Sequence, residues 1–391
     1  MRPSRLHVLA IGGAHQYLHF LPIVFELVRR GTTRIEIFVL SQAQRAAVEA
    51  FAADLGYEVP PITVMYLPMA LKHFLPAERA KSLTLLYWAH RLRDAEALFC
   101  AERTSTLLKR LPGRCPTFIH SRHGFGDRAV GFEERIALFD HVLVAGSKDR
   151  ERLLEEGRVA PERCHMVGPV KLAAIARAEH GRARLFPDER PVVLYNPHDN
   201  KDFSSFDAMA DKLIVGILAD GRYNLVVAPH IKLAKSWSAS RRAEWIARSV
   251  EGRVIVDLGS PRVLDMTYAL AADCYFGDVS SQVYEFLARP RPCLFCDAHG
   301  ADWRDDPSYA MWRFGPVIGP QDDPVAAIDR AIATHADYLA MQQSRLAQTL
   351  ADNPLAGDTP PAHPDDIDRA ADLLAVLTAR PGGTFEAARA A

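Results

Sequence analysis

Short apolar runs alternate with longer amphipathic stretches almost from the start of the chain. Leu6-His7-Val8-Leu9-Ala10-Ile11 is closed by Gly12-Gly13, and apolar positions then recur at helical spacing from Leu18 to Arg30. This order predicts a strand, a turn and a helix. Arg34 to Leu40 reads as the next strand and an alanine-rich stretch from about Gln42 to Leu55 as the next helix, which begins a βαβ rhythm. Ile62 to Leu67 predicts a third strand. The segment from Phe74 to Leu108, with Pro76 near its start, reads as mostly helical, and Pro116 to His120 and His141 to Ala145 read as later strands.

After Val167-Gly168-Pro169 the pattern becomes polar and rich in alanine and arginine as far as Glu189-Arg190-Pro191, and a second βα series follows. Its strands are expected at Val192 to Tyr195, Asn224 to Ala228, Val254 to Asp257, Cys274 to Phe276 and Cys293 to Phe295. Helices are expected over Phe206 to Asp220, Pro261 to Ala271 and Ser280 to Ala288. Strands alternating with helices in both halves predict an α/β chain of two Rossmann-like parallel-sheet domains. The expected division is an N-terminal domain over 1–170, a connection over 171–190, a second domain over 191–340, and a C-terminal helical segment with a frayed end over 341–391.

Composition narrows the function classes. A chain of 391 residues suits two cores, since a domain usually holds about 100–200 residues. A net charge of −1 offers no basic surplus for a nucleic-acid partner. The six cysteines are sparse and read as free thiols in a reducing compartment, hence a cytoplasmic location. Cys293 and Cys296 form a C-x-x-C, but on a strand they would face opposite sides. His15, Gln16 and His19 interrupt the first apolar run, so it makes a poor membrane span or signal peptide. The mixed apolar and basic segment from Leu67 to Leu75, with Lys81 and Trp88 beyond, suits either a helix lying on the inner face of the cytoplasmic membrane or a buried helix. No spacing indicates a protein-held metal, and no cofactor is expected. The sequence leaves oligomeric state open.

Loops leaving the carboxyl ends of parallel strands are where ligands bind in such sheets. Gly277-Asp278-Val279-Ser280-Ser281 follows a strand and opens a helix, which suits phosphate oxygens; helix capping by Asp278 or Ser280 explains the same residues. Glu285, one turn on, could accept the hydroxyls of a ribose or be a solvated helix charge. Asn196 and His198, in the loop after the first strand of the second half, could line a donor pocket or simply form that loop. His123, before Gly124, and His230, after Pro229, are proton-transfer candidates that would face one another across a cleft; each could instead be a turn residue. His15, which follows the first strand, and Gly124 are expected on the acceptor side, His15 being a turn residue otherwise; Gly12-Gly13 lacks the further glycine of a dinucleotide fingerprint.

Asp278-Val279-Ser280-Ser281-Gln282-Val283-Tyr284-Glu285-Phe286 and the proline-led strand from Arg291 to Asp297 resemble the hallmark of the CDP-glycerol glycerophosphotransferase family, which builds teichoic-acid-type polymers. His123-Gly124 is similar to that family's His-Gly loop, and Val167-Gly168-Pro169 to its glycine-proline turn. Glu285 stands where the family usually has aspartate. The resemblance implies a GT-B fold, two Rossmann-like domains facing a central cleft, with a cytidine nucleotide held mainly by the second. It implies donor-phosphate contacts from Ser280 and Ser281 and catalysis by His123 and His230. The expected activity is transfer of glycerol phosphate, or a related polyol phosphate, from a CDP-activated donor to a hydroxyl of a glycan or lipid-linked acceptor, with release of CMP. A GT-B glycosyltransferase using a nucleotide sugar, a nucleotide-sugar 2-epimerase and a non-catalytic nucleotide-binding or assembly protein are the alternatives.

Overall fold

The computed structural model describes residues 3–68, 77–178, 183–355 and 366–379. It divides into two compact units, the first formed by Met1–His123, Phe132–Ala178 and Thr349–Ala391, the second by Gly124–Gly131 and Glu179–Gln348.

The first unit is built on seven strands: β1 (Arg5–Leu9), β2 (Arg34–Val39), β3 (Ile62–Val64), β4 (Ala97–Cys100), β5 (Thr117–Ser121), β6 (His141–Val144) and β7 (Cys164–Met166). They lie in the order β3-β2-β1-β4-β5-β6-β7, and every neighbouring pair is parallel. The segment expected to be mostly helical over 74–108 carries the helices Ala77–Tyr87 and Ala89–Leu92, but it also holds β4, a strand that expectation missed. The four residues of β4 are all buried, because a central parallel strand is covered on both faces, and so unbroken an apolar run carries no period that separates strand from helix.

The second unit holds β8 (Val192–Asn196), β9 (Asn224–Val227), β10 (Val254–Val256), β11 (Cys274–Gly277), β12 (Cys293–Cys296) and β13 (Val317–Ile318). Their order is β10-β9-β8-β11-β12-β13, again all parallel. Val193, Tyr195, Leu225, Phe276 and Leu294 pack with Phe206, Met209, Leu213 and Ile217 of the helix Phe206–Asp220 to form its core. The helix expected over Pro261 to Ala271 is two short helices, Pro261–Leu264 and Thr267–Ala271, broken at Met266, which adopts a left-handed φ of 66°. The expected helix from Ser280 to Ala288 is shorter, Gln282–Phe286.

The stretch expected as a connection from 171 begins within the helix Val170–Arg177 of the first unit. Gly168, just before it, has a φ of 84°, and a Cβ there would collide with the Asp366 carboxylate, so the turn requires glycine. Asp366 opens the helix Asp366–Ala379, which packs on the helix Leu21–Arg30. Among the described residues no helix is long and apolar enough to cross a membrane. Most of the segment considered for membrane docking, residues 69–76, and the end expected to fray lie outside the described residues. Lys81 pairs with Glu102 at 2.6 Å, and the Trp88 indole donates to the Tyr66 carbonyl at 3.0 Å. All six cysteines are free; only Cys115 is exposed.

Glu26 fixes the packing of these helices. Its carboxylate is fully buried and accepts hydrogen bonds from Arg29 at 2.9 and 2.7 Å and from Arg30 at 2.7 Å, while Arg30 and Arg177 reach Asp368 at 2.8 and 2.6 Å. Burial alone would raise the Glu26 carboxyl, but the two guanidinium groups outweigh it and hold it at about 2. The lowered value means that its stabilisation is present above the unfolded value near 4.5 and is lost as pH falls toward about 2. Because Arg29 is largely exposed, the expected cost of Glu26→Ala is about 2–3 kcal/mol, at or below the low end for a broken buried pair. Hydrogen exchange of the helix Leu21–Arg30 at pH 7 should register that loss, and the gap from wild type should close as pH falls below about 4.

Candidate functional site

In an open parallel sheet the crevice lies beyond the carboxyl ends of the strands where strand order reverses. In the second unit that point falls between β8 and β11, so the loops after Asn196 and Gly277 open onto one edge, joined by the loop after β9 that carries His230. Asn196, His198, His230, Asp278, Ser280 and Ser281 are thereby gathered there.

Asp278 is fully buried. Its Oδ1 accepts from the backbone N–H of His198 at 2.9 Å and of Val279 at 2.7 Å, and its Oδ2 from the N–H and hydroxyl of Ser205 at 2.7 and 2.9 Å. Burial pushes the carboxyl up to about 6, and these hydrogen bonds limit the rise. With its oxygens enclosed and filled, Asp278 ties the loops together instead of lining the crevice. Asn196 does similar work: its amide donates to the Ala228 carbonyl at 2.6 Å and its Oδ1 accepts the Ser280 hydroxyl at 2.8 Å. Ser280 is almost completely buried and so committed to the scaffold. Ser281 differs, because its side chain makes no hydrogen bond within the described residues. Gly124 and Gly126 lie against it: a Cβ at Gly124, where φ is 75°, would sit 3.3 Å from the Ser281 hydroxyl, and one at Gly126 would sit 2.8 Å from its Cβ. Gly124, expected on the acceptor side, thus belongs with the serine motif. Glu285 is buried on the short helix that follows.

Two histidines face the same edge. His230 Nδ1 lies 2.8 Å from Asp199 Oδ1, and its ring stacks on that of His198 at 5.5 Å with an interplanar angle of 17°. Burial works to raise the Asp199 carboxyl, but the hydrogen bond and charge of His230 prevail and hold it well below the usual carboxylate range. Asp199 therefore stays ionised and accepts a hydrogen bond from His230 Nδ1, which orients the ring. His198 is pushed down to about 4, first by burial and then by the charge of Arg128, so its ring is neutral at pH 7.

In the first unit the strand order reverses between β1 and β4, and here His123 is set by its surroundings. Its Nδ1 lies 2.7 Å from the Ala101 carbonyl, which can only accept, so Nδ1 carries the proton and Nε2 presents a lone pair, 3.2 Å from the Gln16 amide. His15 packs edge-on to His123 with ring centres 5.9 Å apart. His19 is held neutral, chiefly by burial and then by the charges of Lys171, His123 and His15. Among the described residues no group of three His, Cys, Asp or Glu side chains could hold a metal ion.

Sequence reasoning missed Asp199, Gln16 and Arg128. Asp199 stands beside His198 in a loop already singled out, but its partner is 31 positions away, and no linear pattern joins them.

No protein-family model and no curated protein sequence matches the chain. Solved structures do. A putative UDP-N-acetylglucosamine 2-epimerase from Listeria monocytogenes aligns with a TM-score of 0.63 at 13% identity over 97% of each chain. A UDP-GlcNAc 2-epimerase from Neisseria meningitidis bound to UDP-GlcNAc gives 0.58 at 11% identity over 95% of this chain and 99% of that one. The wall teichoic acid polymerase TagF gives 0.58 at 14% identity, covering 96% and 88%. At such identities the likeness establishes the fold, which is GT-B-like with two Rossmann-like parallel-sheet units.

If Asp278 organises the edge, Asp278→Asn should be costly, because an amide NH2 would face N–H groups that now donate. A buried donor left without an acceptor costs about 1–3 kcal/mol. Faster exchange of the His198 and Ser205 amides, with unchanged exchange in β1 and β4, is the expected signature in hydrogen-exchange mass spectrometry.

Proposed function

We propose that the chain is a transferase that moves glycerol phosphate, or a related polyol phosphate, from a CDP-activated donor to a hydroxyl of a glycan or lipid-linked acceptor. The observation that carries this reading is the serine motif at the β8/β11 edge, where Ser280 is used internally and Ser281 keeps its hydroxyl for a ligand, on the edge that also carries His230 paired with Asp199. The fold it shares with a teichoic acid polymerase supports it, as does the family resemblance of residues 278–297.

In this reading the second unit holds the donor and the first serves the acceptor. The acceptor oxygen forms a bond to the β-phosphorus, the bond from that phosphorus to the CMP oxygen breaks, and CMP leaves with the electron pair. His123 Nε2 takes the acceptor proton, a role for which its Nδ1–H···O=C bond to Ala101 provides the right tautomer. His230, oriented by its contact with Asp199, stabilises charge on the phosphoryl oxygens by hydrogen bonding. The acceptor is a glycan or a lipid-linked molecule, met in the cytoplasm or at the inner face of the cytoplasmic membrane.

A second reading is favoured by the likeness to UDP-GlcNAc 2-epimerases: a uridine-sugar substrate at the same edge, with chemistry at the sugar carbon. Incubation with CDP-glycerol, UDP-GlcNAc and a panel of acceptors separates the two. The proposal expects CMP; a uridine-sugar enzyme would give UDP or an epimerised sugar and leave CDP-glycerol intact. His123→Ala should lower turnover by roughly 10²–10⁴ with donor affinity retained, as single-turnover assays and calorimetry would show. Ser281→Ala should instead weaken donor binding, each hydrogen bond to a charged phosphate being worth about 1.5–3 kcal/mol.

A further inference from the structure

Arg128 lies in the segment Gly124–Gly131 of the second unit, and every neighbour that defines its position is in that unit. Its guanidinium sits over the Phe203 ring, 4.6 Å from the ring centre, and Nη1 lies 2.7 Å from His198 Nε2. The preceding residue anchors the segment: Asp127 accepts the Tyr284 hydroxyl at 2.5 Å and pairs with Arg345 at 3.0 Å. Arg128 itself has no carboxylate within ion-pair distance among the described residues; Asp199 and Asp278 act on it only at longer range. A half-buried cation without a counter-ion is costly, and this one is held in place by its neighbours.

The contact with His198 sharpens the point. Nη1 donates to His198 Nε2, and the remaining guanidinium N–H groups have no hydrogen-bond acceptor among the described residues. Such donors, on a cation with no carboxylate beside it, are satisfied by a bare anionic oxygen. The geometry points to Arg128, held in place by His198 and Phe203, as a seat for a phosphate oxygen, the diphosphate of the nucleotide donor being its occupant. The identity of that occupant rests on the donor reading given above; the seat itself does not. The serine motif supplies a neutral hydroxyl, whereas Arg128 supplies the full positive charge that a diphosphate needs.

The test uses full-length protein carrying ¹⁵N-labelled histidine, titrated separately with inorganic pyrophosphate, CDP-glycerol and UDP-GlcNAc. Pyrophosphate should shift the His198 ring resonances, because it competes for the guanidinium that donates to His198 Nε2. Arg128→Gln should weaken pyrophosphate binding at least about tenfold, as expected for the loss of a charge-assisted hydrogen bond, and Arg128→Lys should recover part of it. Circular dichroism checks that both variants are folded. Wild-type affinity for pyrophosphate in folded Arg128→Gln, or pyrophosphate binding that leaves the His198 resonances unmoved, would overturn the seat. The arms also separate the two claims. Arg128-dependent pyrophosphate binding without binding of either nucleotide keeps the seat and removes the donor reading, whereas nucleotide binding indifferent to Arg128 keeps the donor reading and removes the seat.

Discussion

The carboxylate of Asp278 holds together loops that would otherwise have no reason to meet. Its two oxygens bind the backbone of the loop after β8 and the start of the helix Phe206–Asp220, while its own backbone carbonyl accepts the Trp312 indole at 2.9 Å. Asn196 adds the loop after β9 through Ala228. A parallel sheet guarantees that these loops share an edge, but it does not fix their side chains; buried, fully used polar groups do. Only because this scaffold is closed can Ser281, His198, His230 and Arg128 be held in defined positions at its rim.

The two units set their histidines in opposite ways. His123 has its Nδ1 proton directed to a neutral carbonyl, which leaves Nε2 ready to receive a proton. His230 has its Nδ1 against a carboxylate, which orients the ring and leaves Nε2 as its outward-facing nitrogen. Similar side chains are thus held in different settings by a single hydrogen bond each, one to a neutral carbonyl and one to a carboxylate. His198 is a third case, neutral because it is buried beside a cation. These differences in environment give the proposed division of labour its physical basis.

Much of the fold was legible in the sequence because parallel strands announce themselves as short apolar runs ended by glycine or polar residues. The failures have specific causes. β4 lacks any period, since both its faces are covered, and the break at Met266 comes from a left-handed residue that no apolar pattern encodes. The serine motif and both histidines were visible as chemistry-bearing residues at strand ends. What could not be seen was which of them the scaffold consumes: adjacent serines in one motif have different fates because Asn196, 84 positions from Ser280, takes one hydroxyl and not the other. Asp199 and Arg128 were hidden for the same reason, their partners being distant in sequence.

The central claim is that the β8/β11 edge of the second unit is where a nucleotide donor binds. Hydrogen-exchange mass spectrometry of the full chain with and without saturating CDP-glycerol tests it most directly. Slowed exchange concentrated in peptides covering 196–205, 228–233 and 277–286 is the predicted result. Saturable binding with those three peptides unchanged, and protection confined to other strand ends, would contradict it.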